Sequence, residues 1–180
     1  MKKTFLWQLS GFVFTCIAGT LLHFVYDWSG QNIVAAVFSG INESTWEHMK
    51  ILFVPMFFFA LAEKHLMGNP PENFWCVKLK GTLLGLVLIP VIFYTYNGVI
   101  GPSPDWINIA IFFISALFMY LYEMHLFQGD KQFFTSPKTA FGILCGIALL
   151  FVLFTFRTPK IDIFKDPLNK TFGISEGIRP

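Results

Sequence analysis

The sequence predicts an all-α polytopic membrane protein: a bundle of five transmembrane helices with a short re-entrant or interfacial segment after the first. Three observations carry this. Hydrophobic residues make up 54% of the 180 and charged ones only 13%, with 23 phenylalanines, a balance outside the range of soluble domains. Five windows, 4–22, 51–62, 81–104, 106–122 and 139–156, contain neither charge nor histidine. Lysines also gather in alternate connections, as the positive-inside rule requires of a multi-pass chain. The expected helices are 5–26, 46–66, 74–97, 105–127 and 138–157. They form one domain, 1–157, followed by a polar C-terminal tail, 158–180.

The first segment follows Lys2 and Lys3, as a signal peptide would. Its apolar stretch is long and has no small-x-small cleavage site before His23, so it reads as a retained helix. The second charge-free window is short. Its residues reach only about 18 Å at about 1.5 Å each, against a hydrocarbon core of roughly 30 Å. A spanning helix must therefore recruit Trp46 to Lys50 at one end and Glu63 to Leu66 at the other, which draws Glu47, His48, Lys50 and Glu63 to the membrane boundary or just inside it. The third, fourth and fifth windows are long enough, or nearly so, unaided. Pro55 and Pro90 fall inside spans, where each removes a backbone donor and loosens a turn. The remaining apolar run, "NIVAAVFSGI" at 32–41, is too short to span and is expected to re-enter the membrane or lie along its surface.

Lys2, Lys3, Lys64, Lys78, Lys80, Lys131 and Lys138 mark one side, whereas the connections 27–45 and 98–104 carry no Lys or Arg. This places the N-terminus in the cytoplasm and the chain in the cell (inner) membrane. Five spans then send the tail outside, although it holds Arg157, Lys160, Lys165, Lys170 and Arg179. An internal repeat at an offset of 60 is also suggested. Trp46 and Trp106 open the second and fourth helices, "EKHL" and "EMHL" close them, and Phe53/Phe113 and Phe58/Phe118 match between. A Trp belt at one interface and a polar stop at the other would give the same pattern.

Cys16, Cys76 and Cys145 are scattered without metal spacing and read as small apolar fillers. No basic-aromatic run supports nucleic acid as a partner; the lipid bilayer is the partner that the composition implies.

The chemistry-bearing residues converge through topology. Four helix ends deliver His23, Asp27, Asn32, Asn42, Glu43, Glu47, His48, Lys50, Tyr94 and Asp105 to one level, a candidate polar pocket on the outer side. Ser44-Thr45-Trp46-Glu47 fits the S-x-x-E capping box, which accounts for Ser44 and Glu47. Lys50 lies three residues after Glu47 and is expected to pair with it or to snorkel outward. Capping leaves His23, Asp27, Glu43 and His48 unexplained, and imidazoles with carboxylates suit a divalent metal or proton handling. Asp27, four residues after His23, could equally orient that ring from behind. On the inner side, the side chains of Glu63 and His65, and of Glu123 and His125, point about 200° apart on a helix. They are expected to anchor helix ends at the headgroups.

"HFVYDWSGQN" at 23–32, "NESTWEHMK" at 42–50 and the tail "FKDPLNKTFGI" together resemble a family of small bacterial multi-pass membrane proteins of unknown function, with a signature HFxYxWSGxN followed by NESxWEHxK. The resemblance implies a fold and no activity. Three functions remain in play: binding or transport of a small solute or ion through the outer pocket, a metal-dependent membrane hydrolase using a His/carboxylate site, and a structural or partner-binding subunit.

Overall fold

The structure, a computed structural model, describes residues 2–129 and 135–174. In chain order it contains α1 (Lys2–Trp28), α2 (Ile33–Phe38), α3 (Thr45–Leu66), α4 (Phe74–Val99), α5 (Asp105–Phe127), α6 (Pro137–Phe156) and a 3₁₀ turn over Asp162–Phe164. Lys131 and Arg179, used above for orientation, lie outside the described residues, as do the side chains of Lys2 and Asp105.

Helices α1, α4, α5 and α6 are long and apolar enough to cross a membrane. In hydrocarbon no water can satisfy the backbone, so each segment must close its own hydrogen bonds. The fifth long helix, α3, has 22 residues and so reaches about 33 Å at about 1.5 Å per residue. It is the most polar of the five, and it sits at the centre, touching α1, α4, α5, α6, α2 and the 3₁₀ turn. Its Glu47, Lys50 and Glu63 are buried. The short apolar run of α3 is thus offset by pairing charge inside the bundle.

Alternation of direction gives the bundle two ends. The start of α1 and the α3–α4 and α5–α6 connections share the N-terminal end; α2, the α4–α5 connection and the C-terminal tail share the other, called here the site end. Between them Leu52, Phe53, Met56 and Ala60 of α3 meet Ala116 and Met119 of α5 and Leu144 of α6 in a layer with no more than 1% exposure at any of these positions.

Near the N-terminal end, Lys78 of α4 sits fully buried between Glu63 of α3 and Glu123 of α5, its Nζ 2.7 Å from an oxygen of each. Gln8 of α1 donates to the other Glu63 oxygen at 3.2 Å, so four helices join one network around the ammonium. The rings of Phe74, Tyr120 and Phe127 surround that nitrogen with centroids 5.4 to 5.9 Å away, adding cation–π attraction in a buried site. Gly81 makes the approach of α5 to α4 feasible, because a β-carbon there would overlap Glu123 Cγ. Glu63 and Glu123 are therefore core residues and not headgroup anchors, and Lys78 is a core cation and not a flanking charge. The opposed directions expected within each E-x-H pair do occur, with His65 and His125 exposed while their glutamates face inward.

The repeat is visible at this end only. Glu63 and Glu123 bind the same lysine from equivalent positions on α3 and α5. Trp46 instead packs among Phe151, Phe154 and Phe164, whereas Trp106 is 67% exposed.

The expected non-spanning segment forms the six-residue α2 at the site end. Asn32 caps it, accepting the Val34 N–H at 2.8 Å. Ile33 and Val34 face outward, while Ala36 is buried. The tail folds back over the same end. Phe164 is buried against Trp46 and Phe154, and the Asp166 carboxylate ties the following turn by accepting from Leu168 N–H, Asn169 N–H and Asn169 Nδ2.

Removing one member of a buried ion set leaves the others uncompensated, at a cost of about 3–5 kcal/mol, whereas replacing the whole set by apolar or neutral groups of similar volume is nearly neutral. Lys78→Ala is expected to lose that much stability, and the triple variant Glu63→Gln, Lys78→Met, Glu123→Gln to recover most of it. Unfolding of the purified protein in detergent, followed by tryptophan fluorescence, checks both.

Candidate functional site

The site end is built on two hinges in the backbone. At the end of α1 the chain turns through Gly30 and Gln31, both at positive φ (67° and 61°), and the Gln31 N–H closes on the Tyr26 carbonyl at 2.9 Å. Glycine takes the first of these at no steric cost. This stops α1 one turn beyond His23. At the start of α3, Ser44 Oγ accepts the Glu47 N–H at 3.4 Å, which is half of the expected capping box. The reciprocal bond differs. Asn42 Oδ1 takes the Ser44 N–H at 3.0 Å, which releases the Glu47 carboxylate to accept the Ile41 N–H at 3.1 Å and the Lys50 ammonium at 2.6 Å.

Lys50 pairs with Glu47, as one of the two sequence readings held, and does not snorkel. Fully buried, it donates also to the Ala36 carbonyl at 2.9 Å and to Thr155 Oγ1 at 3.0 Å. An ammonium has three donors, so all are used and α2, α3 and α6 are fastened together.

In front of this lock lie three groups from three different parts of the chain. His23 Nε2 of α1 is 3.4 Å from Glu43 Oε2 in the α2–α3 connection, and His48 Nε2 of α3 is 3.8 Å from the same oxygen. All three ligand-type atoms fall within 4.8 Å of one another. His48 Nδ1 lies 3.0 Å from the Ser44 carbonyl, which can only accept. The ring proton is therefore on Nδ1, and in the neutral imidazole the Nε2 lone pair faces Glu43 and His23. The two rings meet edge to face at 5.5 Å between centroids.

The spacing suits one ion. Bonds of about 2.0–2.1 Å in a tetrahedron set ligand atoms about 3.3–3.4 Å apart, close to the His23–Glu43 separation. Three protein ligands of this kind leave a further position open. A polar cavity of about 110 Å³ adjoins the triad, and its walls include Asp27, Gly40, Asn42 and Glu47. An apolar cavity of about 100 Å³ adjoins it on another face, walled by Gly19, Thr20, Ile109, Phe112 and Phe113, and the two share His23, Phe24, His48 and Ile51.

Of the pocket residues expected from the sequence, His23, Asp27, Asn42, Glu43, Glu47 and His48 line the polar cavity. Three lie elsewhere: Asn32 caps α2 and is exposed, Lys50 is locked behind Glu47, and Tyr94 is an exposed residue of α4. Asp105 opens α5. Sequence reasoning missed the supporting partners: the Ala36 and Ser44 carbonyls because a backbone acceptor leaves no residue-type signal, and Thr155 because its hydroxyl lies 105 positions from Lys50 in an otherwise apolar run.

The family model described as "Family of unknown function (DUF6512)" matches residues 1–174. The chain belongs to this family. No curated protein and no solved structure matches it. The match covers both quoted motifs and the docked tail, so the triad and its supporting turn fall within the family's own span.

His23 draws the Glu43 carboxyl below its usual 4.5, against an opposing push from burial, with His48 adding a smaller charge effect. A carboxyl lowered in the folded state stabilises the fold above the usual value, and that contribution disappears as pH falls through the lowered one. Metal-free protein is therefore expected to lose thermal stability on acidification below pH 4.5, and Glu43→Gln to flatten this part of the profile. Melting curves against pH measure it.

Proposed function

We propose that this membrane protein binds a divalent transition-metal ion, zinc by preference, through His23, Glu43 and His48. The single observation that carries this is the convergence of two imidazoles and one carboxylate within 4.8 Å, with the His48 tautomer set by the Ser44 carbonyl. A backbone acceptor that fixes the ring of a ligating histidine is the usual support of such sites. Lys50 supports the reading as well, since its donors are spent on Glu47, Ala36 and Thr155 and it does not neutralise Glu43. The tightly packed layer around Leu52, Met56, Ala60, Ala116 and Met119 favours binding at one end over passage of a solute through the bundle.

Hydrolysis at the bound ion is the second reading. It is favoured by Asp27, whose carboxylate on the wall of the same polar cavity is placed to act as a general base, while an ion held by the triad would supply Lewis acidity. In the membrane, we place the N-terminal end in the cytoplasm and the metal site with the docked tail outside. Lys3, Lys64, Lys80 and Lys138 near the N-terminal end support this, against connections 27–45 and 98–104 without Lys or Arg. The cell membrane is the compartment proposed.

Protein purified without chelator is expected to carry close to one equivalent of metal by elemental analysis. His48→Ala and His23→Ala should each weaken zinc binding by roughly 100-fold or more, as loss of a direct ligand exceeds the effect of losing an outer partner. Asp27→Asn should keep the metal and, if hydrolysis is the function, lose it. A preparation that stays metal-free after dialysis against zinc sinks the proposal. Affinity should also fall with acidification through the imidazole range, about 6 to 7, because protons compete for the same nitrogens.

A further inference from the structure

We propose that the site is entered from the bilayer and that its ligand is a membrane lipid whose headgroup is neutral and carries hydroxyl donors. For its headgroup end this rests on the metal reading; for its chain end it stands on the apolar cavity alone. That cavity lies between α1 and α5, two helices of spanning length, and its walls are Gly19, Thr20 and Phe24 on one side and Ile109, Phe112 and Phe113 on the other. Phe24, Ile109 and Phe113 are exposed, and on spanning helices an exposed apolar residue faces acyl chains. The cavity contains almost no polar surface of its own: the Thr20 hydroxyl is turned back onto the Cys16 carbonyl at 2.8 Å. Gly19 lets α1 close on α3 beside it, since a β-carbon there would stand 2.9 Å from the Ile51 carbonyl oxygen.

Two cavities of opposite character share the walls His23, Phe24, His48 and Ile51. A water-soluble solute would have no use for the apolar one, and a hydrocarbon none for the polar one. An amphiphile uses both, with its chain between α1 and α5 and its head beside the triad.

Charge selects the headgroup. The walls of the polar cavity carry the carboxylates of Asp27, Glu43 and Glu47 and no lysine or arginine, and Lys50 behind them has no donor to spare. With a divalent ion in place, its two charges would be offset by Glu43 and Asp27, and that of Glu47 is offset by Lys50, so no net positive charge would remain for an anionic head. A hydroxyl head would donate to Asp27, while a carbonyl oxygen beside it would reach the open position on the ion.

The test uses full-length protein in nanodiscs of neutral lipid with two photoreactive probes of equal chain length, a diazirine-bearing monoacylglycerol and a diazirine-bearing fatty acid, and metal content is measured on each sample. The monoacylglycerol is expected to label peptides covering Gly19–Phe24 and Ile109–Phe113 above every other lipid-facing segment, and to be displaced by unlabelled monoacylglycerol but not by fatty acid. Ile109→Trp, at a lipid-facing position that tolerates bulk, should reduce this labelling by roughly tenfold or more while leaving metal content unchanged. Labelling spread evenly over the exposed faces of all helices, or unchanged in Ile109→Trp, overturns the groove. Equal labelling by the fatty acid overturns the headgroup assignment. If labelling localises in protein that binds no zinc, the groove stands and the metal reading fails.

Discussion

A charge inside hydrocarbon has to be matched there, and this requirement organises the bundle. Lys78 meets Glu63 and Glu123 near one end; Lys50 meets Glu47 near the other. Each set draws groups from three or more chain elements, so matching the charge also fixes how the helices lie. Desolvating such ions costs several kcal/mol apiece, and the attraction repays it only where geometry and hydrogen bonds are good. Gly81 supplies the close approach at one set, and the Ala36 carbonyl and Thr155 complete the donors at the other. Helix α3 can then run the full length of the bundle while carrying more charge than an unpaired membrane helix tolerates.

The candidate site follows from what these locks leave over. With Glu47 and Lys50 satisfied by each other, Glu43 has only two imidazoles for company, and one of them presents a lone pair. That arrangement gains from a cation in a way that the locked pairs do not. The same end holds α2 and the docked tail, while Lys78 ties α3, α4 and α5 together near the opposite end. An apolar cavity between α1 and α5 and a polar one walled by Asp27 and Asn42 then adjoin the triad on two faces.

Much of the fold was legible because its signals are long. Charge-free windows located the long helices to within a few residues, and the shortness of 32–41 identified the segment that does not span. What failed was the meaning of single charges. Lys78 and Lys80 look alike in the sequence, yet only Lys78 turns inward, and helical phase relative to partners on α3 and α5 decides this. Glu63 and Glu123 were misplaced for the same reason. At the site, topology alone brought His23, Glu43 and His48 to one level, while no window could show that Asn42, by capping Ser44, frees the Glu47 carboxylate for Lys50. The docked tail escaped because Phe164 is one of only two aromatics in a polar segment, and its partner Trp46 lies more than a hundred positions earlier.

The central claim is a division of labour: Glu47 and Lys50 lock the fold, while His23, Glu43 and His48 hold an ion. Zinc K-edge X-ray absorption of the loaded protein addresses it most directly. The account predicts two imidazole ligands with zinc–nitrogen bonds of about 2.0–2.1 Å plus light oxygen scatterers. The imidazole count should fall to one in His48→Gln, and the spectrum should be unchanged in the paired variant Glu47→Gln, Lys50→Met. A spectrum without imidazole scattering, or one that the Glu47/Lys50 variant alters and His48→Gln does not, would contradict it.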